Sequence, residues 1–233
     1  MSAQQVAAYL HLDVREVAKL ASRGEIPCRK VRGQFQFRKD QVDHWVESHM
    51  HTLGADRLEA IEKGVSAHHG VDHASLEVCP LIPPGGLAVP LGARTREGVI
   101  HDLVDLAGAS EVVYDRQRLM DEIRRREELC STALVPRVAL PHPRRPLPYD
   151  IARSFIVAGS APGGIPYGAE DGSLSRFFFL ICCKDDRTHL HVLARLVRML
   201  RAAEHVDMLL AAEGPDELRG ALVRLEELAV GGD

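Results

Sequence analysis

The run Arg137-Val-Ala-Leu-Pro-His142 joins a short apolar segment to a single histidine. The apolar residues 138–140 predict a short buried strand, which ends at Pro141. Because Pro141 and Pro143 flank His142, the backbone is biased toward an extended conformation and the imidazole is held in a comparatively fixed position. With an ordinary pKa of about 6.5, an imidazole at a strand end can act as a nucleophile near neutral pH.

Composition sets broad limits on what the chain can be. Its 233 residues are 45% hydrophobic and 27% charged, which indicates one large or two small packed domains and excludes wholesale disorder. The net charge of −4 gives no global nucleic-acid signature, so any basic patch must be local. Five cysteines without a Cys-x-x-Cys motif indicate reduced thiols. With no signal peptide and no apolar run near ~18 residues, we expect a cytoplasmic protein without a membrane partner.

The sequence divides into three segments that differ in their helix and strand signals. Residues 1–50, the N-terminal unit, combine helical and hairpin signals, and residues 51–75 are predicted to be a partly helical linker. Residues 76–233, the C-terminal unit, alternate helices capped by Thr95 and Asp115 with strands near 137–140, 154–159 and 176–183. This alternation favours an α/β sandwich. The Gly159-Ser-Ala-Pro-Gly-Gly run lacks a P-loop lysine and is interpreted as a turn.

The C-terminal unit resembles a known family. The run ending at His142, the upstream Arg126-Glu-Glu-Leu-Cys-Ser131-Thr132 and the Gly164-Ile-Pro-Tyr-Gly stretch are similar to type-2 enzyme IIA domains of the bacterial phosphotransferase system, the fructose, mannitol and nitrogen-regulatory type. The resemblance implies the α/β sandwich of mannitol-type enzyme IIA, with a mixed sheet flanked by helices.

The resemblance also implies roles for individual residues. His142 would accept a phosphoryl group from an HPr-like phosphocarrier protein, and Arg126 would bind phosphoryl oxygens. His189 matches a second family histidine at the start of the long helix, where it would orient the phosphoryl group, although a partly exposed helix residue is as plausible. Thr132 or Ser131 would supply a hydroxyl donor. No cofactor and no metal ion is implied.

Four positions depart from the family's glycine-rich pattern around the acceptor: Ala133, Val135, Arg137 and Pro143. Glycine lets the backbone approach a phosphate closely, and proline has no N–H to donate. Charge from Arg137, Arg144 and Arg145 could replace the lost donors, or phosphotransfer could be lost while the fold is retained.

The N-terminal unit resembles excisionase/MerR-like winged helix-turn-helix domains, through residues 5–10, 24–27 and 35–45. Basic residues recur every four positions on its second helix and also populate its hairpin, which indicates contact with DNA bases and phosphates. These residues are Arg15, Lys19, Arg23, Arg29, Lys30 and Arg32. One such unit buries little surface, so a homodimer or tandem sites are expected. Protein docking is the alternative.

Three functions remain open on the sequence. The first is a transcription regulator controlled by phosphorylation of His142, and the second is a sensor or adaptor that keeps the fold without phosphotransfer. The third is a IIA component of sugar uptake, against which the DNA-binding unit argues. Metal spacing in His68-His-x-x-x-His73 and in His189-x-His191 is discounted, because neither has the four ligands of a structural zinc site.

Overall fold

The computed structural model describes residues 1–69, 77–133 and 136–231, and for residues 63–69 it describes the backbone alone. Two expectations from the sequence therefore lie outside the described residues. They are the departure from the family pattern at Val135 and the spacing of the histidine side chains between His68 and His73.

The N-terminal unit is built from three helices and a two-stranded antiparallel hairpin. In chain order these are α1 (Ala3–Leu10), α2 (Val14–Ser22), β1 (Arg29–Val31), β2 (Gln34–Gln36) and α3 (Lys39–His49). Ser2 caps α1 in a capping box with Gln5, and Asp13 caps α2. The hairpin turns at Gly33, whose φ of 83° costs glycine little.

The remaining helices and strands follow the N-terminal unit in chain order. They are α4 (Ala55–His69), β3 (Leu87–Ala88), α5 (Arg96–Ala109), α6 (Arg116–Glu127), β4 (Val138–Ala139), β5 (Phe155–Ile165), β6 (Ser175–Cys182), α7 (Asp186–Met199), α8 (Ala203–Leu210) and α9 (Pro215–Val230). Thr95 and Asp115 cap α5 and α6 as predicted. Among the described residues, no helix combines the length and the apolar character needed to cross a bilayer.

One four-stranded mixed sheet organises the C-terminal unit. Its strand order is β3-β5-β6-β4, with β5 and β6 antiparallel at the centre and the short edge strands β3 and β4 each parallel to its neighbour. Burial on both faces explains why the central strands read as continuous apolar runs rather than as alternating ones. The predicted α/β fold with a mixed sheet flanked by helices is confirmed.

Two apolar layers enclose the sheet because successive side chains point to opposite faces. Phe177 and Phe179 pack in the layer that contains α7 and α9, whereas Phe178 and Leu180 pack in the layer that contains α5 and α6. Each of these side chains is fully buried, and burial of one such side chain contributes about 1.5–3 kcal/mol. The core thus fixes the strand ends from which the site is built.

The turn interpreted at Gly159 to Gly164 is wrong, because these residues lie within β5. Gly159 is needed for packing rather than for a turn: a Cβ there would lie 2.6 Å from Cγ of Leu91. The pairing of β5 with β6 shifts register between Ser160 and Ile165, which accommodates the proline and the two glycines between them.

Candidate functional site

His142 lies immediately beyond β4, where the chain leaves the edge of the sheet. The backbone N–H of Ile181 in β6 donates to the carbonyl of Pro141 at 3.0 Å and holds this exit in place. Nδ1 of His142 lies 2.7 Å from the carbonyl oxygen of Leu140. Because a carbonyl only accepts, Nδ1 carries the ring proton and Nε2 presents its lone pair. The nucleophilic atom of this site is therefore Nε2.

Arg126 is the group that faces this lone pair. It lies in the last turn of α6, its side chain is 1% exposed, and its Nε donates to Nε2 of His142 at 3.0 Å. Nη1 donates to the carbonyl oxygen of Cys130 at 3.0 Å, which fixes the guanidinium plane. Nη2 is buried without a hydrogen-bond partner among the described residues. A rigid, permanently charged donor thus stands beside the imidazole.

His189 completes the group of three that the sequence predicted. It lies in the first turn of α7, which Asp185 caps by accepting from the backbone of Arg187 and Thr188. Its ring centroid is 4.8 Å from that of His142, and the two rings are tilted by 51°. His189 is only 9% exposed, so it is a member of the buried site and not a partly exposed helix residue.

The two imidazoles have opposite protonation preferences. Burial and the neighbouring Arg126 guanidinium lower the pKa of His142, which keeps its ring neutral. Burial opposes protonation of His189 as well, but contacts with Cys183 and Glu47 outweigh it and raise the pKa of His189 to about 10. One neutral nucleophile and one imidazolium therefore lie side by side.

Glu47 is the residue that sequence reasoning missed. It belongs to α3 of the N-terminal unit, 95 residues before His142, and is 5% exposed. Its Oε2 lies 3.4 Å from Nε2 of His142 and 3.4 Å from Nε of Arg126, and its Oε1 lies 3.4 Å from Nε2 of His189. The available signal was a polar face of α3, formed by His44, Glu47 and Ser48, opposite the apolar face.

Two predicted hydroxyl donors do not face the acceptor. Thr132 donates to Oε1 of Glu127, and Ser131 donates to the carbonyl oxygen of Tyr167 at 2.9 Å. Neither hydroxyl faces His142 in this structure, and the role of either in binding a phosphoryl group stays a prediction. The physical reason is that a buried carboxylate or carbonyl oxygen needs a hydrogen-bond donor, and these hydroxyls supply it.

Of the arginines expected to replace the lost backbone donors, only some lie near His142. Arg137 points away from the site, since Nη1 lies 2.6 Å from Oδ1 of Asp207 and Nη2 donates to the carbonyl oxygen of Ala203 at 2.8 Å. Arg144 and Arg145 are exposed and line a cleft of about 790 Å³ that leads to Glu47 and His189. Of the three arginines considered, two remain near the mouth of the site.

The sequence also predicts an imidazole that a donor protein can reach, and here the structure differs. The side chain of His142 is 0% exposed, because α3 covers it with Glu47. Helix α3 belongs to the segment that the sequence indicates as a separate DNA-binding unit. The spacing of apolar residues within one segment cannot indicate its contacts with another segment.

A metal ion fits this group poorly. Glu47, His142 and His189 each place one ligand atom within 4.8 Å of the others, and two histidines with a carboxylate are a known zinc ligand set. However, the Nε–H of Arg126 already occupies the lone pair of His142, and the guanidinium cannot lose its charge. A divalent cation at this point would lie against a fixed positive charge.

The residues predicted to bind DNA lie on exposed surface away from the site. Arg15 and Lys19 project from α2, and Arg23 follows at its end, where it forms an ion pair with Glu25 at 3.7 Å. The other three lie in the hairpin or its turn and are also exposed: Arg29, Lys30 and Arg32. The structure therefore groups the six predicted residues on α2 and on the hairpin that follows it.

Comparisons with known proteins agree with this architecture. The family model described as "Phosphoenolpyruvate-dependent sugar phosphotransferase system, EIIA 2" matches residues 85–224, and the model described as "Helix-turn-helix domain" matches residues 1–50. The fructose-specific EIIABC component of the PTS system of Bacillus subtilis is 26% identical over 145 residues, which cover 61% of this chain and 22% of that protein. The fructose-specific EIIA component of Haloferax volcanii is 26% identical over 135 residues, which cover 57% of this chain and 86% of that protein.

Solved structures show the same fold. Nitrogen regulatory protein IIA-Ntr from Neisseria meningitidis superposes with a TM-score of 0.57 at 18% identity, over 62% of this chain and 98% of that chain. IIA mannitol from Escherichia coli superposes with a TM-score of 0.50 at 22% identity, over 57% of this chain and 94% of that chain. Because the matched residues 85–224 make up more than half of the sequence, the chain belongs to the type-2 enzyme IIA family of the phosphoenolpyruvate-dependent sugar phosphotransferase system, joined to an N-terminal helix-turn-helix domain.

Proposed function

We propose that the chain is a phosphotransferase-system regulatory protein that accepts a phosphoryl group on His142 and couples this event to DNA binding. Residues 1–50 would bind DNA, residues 51–75 would connect the domains, and residues 76–233 would carry the phosphoryl site. The observation that carries the proposal is the contact of 3.0 Å between Nε of Arg126 and Nε2 of His142, in a ring whose proton is held on Nδ1. The donor would be an HPr-like phosphocarrier protein, and the regulated process would be transcription.

The chemistry follows from this geometry. The Nε–H of Arg126 moves from Nε2 to a phosphoryl oxygen, and the freed Nε2 lone pair attacks the phosphorus of the donor's phosphohistidine. An Nε2–P bond forms while the donor's N–P bond breaks. The electron pair of the broken bond stays on the donor imidazole. The Nδ1 proton remains hydrogen-bonded to the carbonyl of Leu140 throughout. Arg126 and the imidazolium of His189 would offset the charge of the phosphoryl oxygens.

The DNA-binding part of the proposal rests on the exposed basic residues of α2 and of the hairpin. A second helix in a helix-turn-helix unit is the one that enters the major groove, and basic side chains of a wing contact phosphates. Because a single unit of this size buries little DNA surface, we propose that the chain binds as a homodimer or at tandem sites.

The test is phosphorylation of the full chain by a phosphocarrier protein charged from phosphoenolpyruvate. Intact mass should show one acid-labile phosphoryl group on the wild type and none on His142→Ala. Equal labelling of both proteins would remove His142 from the mechanism.

A second candidate is a sensor or adaptor that binds a partner without phosphotransfer. It is favoured by the complete burial of His142 and by Pro143, which has no N–H to offer a phosphate. Absence of label on wild type under every donor condition would favour this candidate. The IIA component of sugar uptake is supported only by the names of the fructose-specific relatives.

A further inference from the structure

Helix α3 has two faces with different partners. Val42 and Val46 are buried on the apolar face of α3. The polar face reaches the C-terminal unit instead: Oγ of Ser48 lies 3.7 Å from Sγ of Cys130, and Nε2 of His44 lies 4.0 Å from the same sulfur. A helix of the DNA-binding unit is therefore also a docking element on the phosphoryl site.

The Glu47 carboxylate contacts the same groups that a phosphoryl group on His142 would contact. It lies 3.4 Å from the acceptor atom Nε2, from the Arg126 donor and from the second imidazole of His189. A carboxylate is planar and a phosphoryl group is tetrahedral, but both are anions that accept hydrogen bonds through oxygen. A phosphorus bonded to Nε2 would bring its oxygens into the space that Glu47 fills.

The charges in this pocket support the same conclusion. Burial alone would raise the pKa of Glu47, but its contacts with His142 and His189 hold it well below the ordinary value. Glu47 is therefore an anion that neutralises the positive charge of the site. At the mouth of the same cleft, Nζ of Lys39 on α3 lies 2.5 Å from Oδ2 of Asp186 on α7.

We propose that docking of α3 and phosphorylation of His142 are mutually exclusive, because the Glu47 carboxylate occupies the phosphoryl position of the site. The proposal rests on the function proposed above and deepens it by naming how the two domains are coupled. When the phosphoryl group passes from the donor's nitrogen to Nε2, Glu47 undergoes no covalent change. It leaves because two anions cannot share one buried pocket.

Coupling to DNA follows from where the basic residues lie. Arg15 and Lys19 are exposed while α3 is docked. In the docked form, the orientation of α2 relative to the C-terminal unit is therefore fixed. Release of α3 frees the DNA-binding unit from that relation. Phosphorylation therefore changes how the unit is presented to DNA, without any change in its own residues.

A disulfide across the interface gives the sharpest test. Oγ of Ser48 lies 3.7 Å from Sγ of Cys130, so Ser48→Cys places a thiol beside Cys130. Oxidation with diamide would then form a disulfide that locks α3 in the docked position. We expect the oxidised protein to take no phosphoryl label in the time that fully labels the same protein after reduction. The matched control is Ser48→Cys combined with Cys130→Ser, in which diamide should leave the labelling rate unchanged. Equal labelling of the locked and reduced proteins would overturn the proposal.

A second readout needs no phosphocarrier protein. Diethyl pyrocarbonate modifies an accessible imidazole nitrogen, and peptide mass locates the adduct. If the released state is about 1% populated, Glu47→Ala should raise the modification rate of His142 by up to about 100-fold over the wild type. Equal rates for the locked protein, the reduced protein and Glu47→Ala would show that α3 does not control access. A third outcome is that the disulfide slows modification of His142 but neither the oxidised nor the reduced protein takes a phosphoryl label. That outcome would support control of access by α3 and refute phosphotransfer.

Discussion

At the scale of single residues, the two histidines of the site differ because their charged neighbours differ. His142 faces the Arg126 guanidinium, and burial together with this charge lowers its pKa. His189 is also buried, which opposes its protonation, but its contacts with Cys183 and Glu47 outweigh burial and raise its pKa to about 10. A neutral acceptor beside an imidazolium suits a reaction in which negative charge arrives.

The first prediction concerns the titration of His189. Its imidazole signals in NMR spectra should titrate with a midpoint near 10 in the wild type and at a lower pH in Glu47→Gln, because the amide removes a carboxylate that favours the imidazolium. The proton bound by the folded state stabilises it fully below the ordinary value of 6.5, and this stabilisation is lost as pH rises toward 10. Glu25→Gln, an exposed change in the same unit, serves as control. A wild-type midpoint near 6.5 would contradict the prediction.

Sequence reasoning identified the residues of the site that lie in the C-terminal unit and missed the one that comes from outside it. His142, Arg126 and His189 were predicted to lie together, and they do. The hydroxyl of Thr132 donates to Glu127 instead of facing His142, a contact that the sequence could not show. Glu47 was missed because a contact across 95 residues depends on how two units pack, which no local spacing records.

At the scale of elements, α4 is held in place by buried charge. Glu62 on α4 and Arg195 on α7 are both fully buried, and Oε2 of Glu62 lies 2.5 Å from Nε of Arg195 and 3.1 Å from Nη2 of Arg198. Glu226 on α9 lies 3.5 Å from Nη1 of Arg195. This cluster fixes the position from which the N-terminal unit extends over the site.

The second prediction is that Glu62→Ala lowers the free energy of unfolding by about 3–5 kcal/mol, because it removes the nearer of the two carboxylates that face the buried Arg195 guanidinium. Urea unfolding followed by circular dichroism measures the change. Glu59→Ala is the matched control on the same helix: its side chain is 25% exposed and it lies 3.8 Å from Arg198, so we expect a loss of no more than about 1 kcal/mol. Equal losses in both variants would contradict the assignment.

Helix boundaries were predictable where capping chemistry is local. Thr95 and Asp115 each cap the helix that the sequence assigned to them. β5 was not predictable in its second half. Pro162, Gly163 and Gly164 are typical of a turn, and only the register shift in the pairing with β6 explains how they lie within a strand.

At the scale of the whole molecule, the basic surface and the acceptor lie in different parts of the fold, and α3 connects them. The exposed residues of α2 lie in the same unit as the helix that covers His142. The proposed coupling between phosphorylation of His142 and DNA binding therefore passes through one helix and requires no rearrangement of the sheet.

The third prediction concerns DNA binding by the full chain. Lys19→Ala should weaken binding to DNA fragments of different sequence to a similar extent and reduce the slope of log affinity against log salt by about 1, because one phosphate contact is lost. Fluorescence anisotropy over a salt series measures both effects. Arg153→Ala, an exposed change in the C-terminal unit, should leave the slope unchanged. An unchanged slope in Lys19→Ala would place the DNA contact elsewhere.

The most direct measurement is the rate at which a phosphorylated HPr-like phosphocarrier protein labels the full chain in a single turnover. The wild type should be labelled slowly, Glu47→Ala up to about 100-fold faster, and the double variant Glu47→Ala/His142→Ala not at all. Label on the double variant, or equal rates for the wild type and Glu47→Ala, would contradict the account.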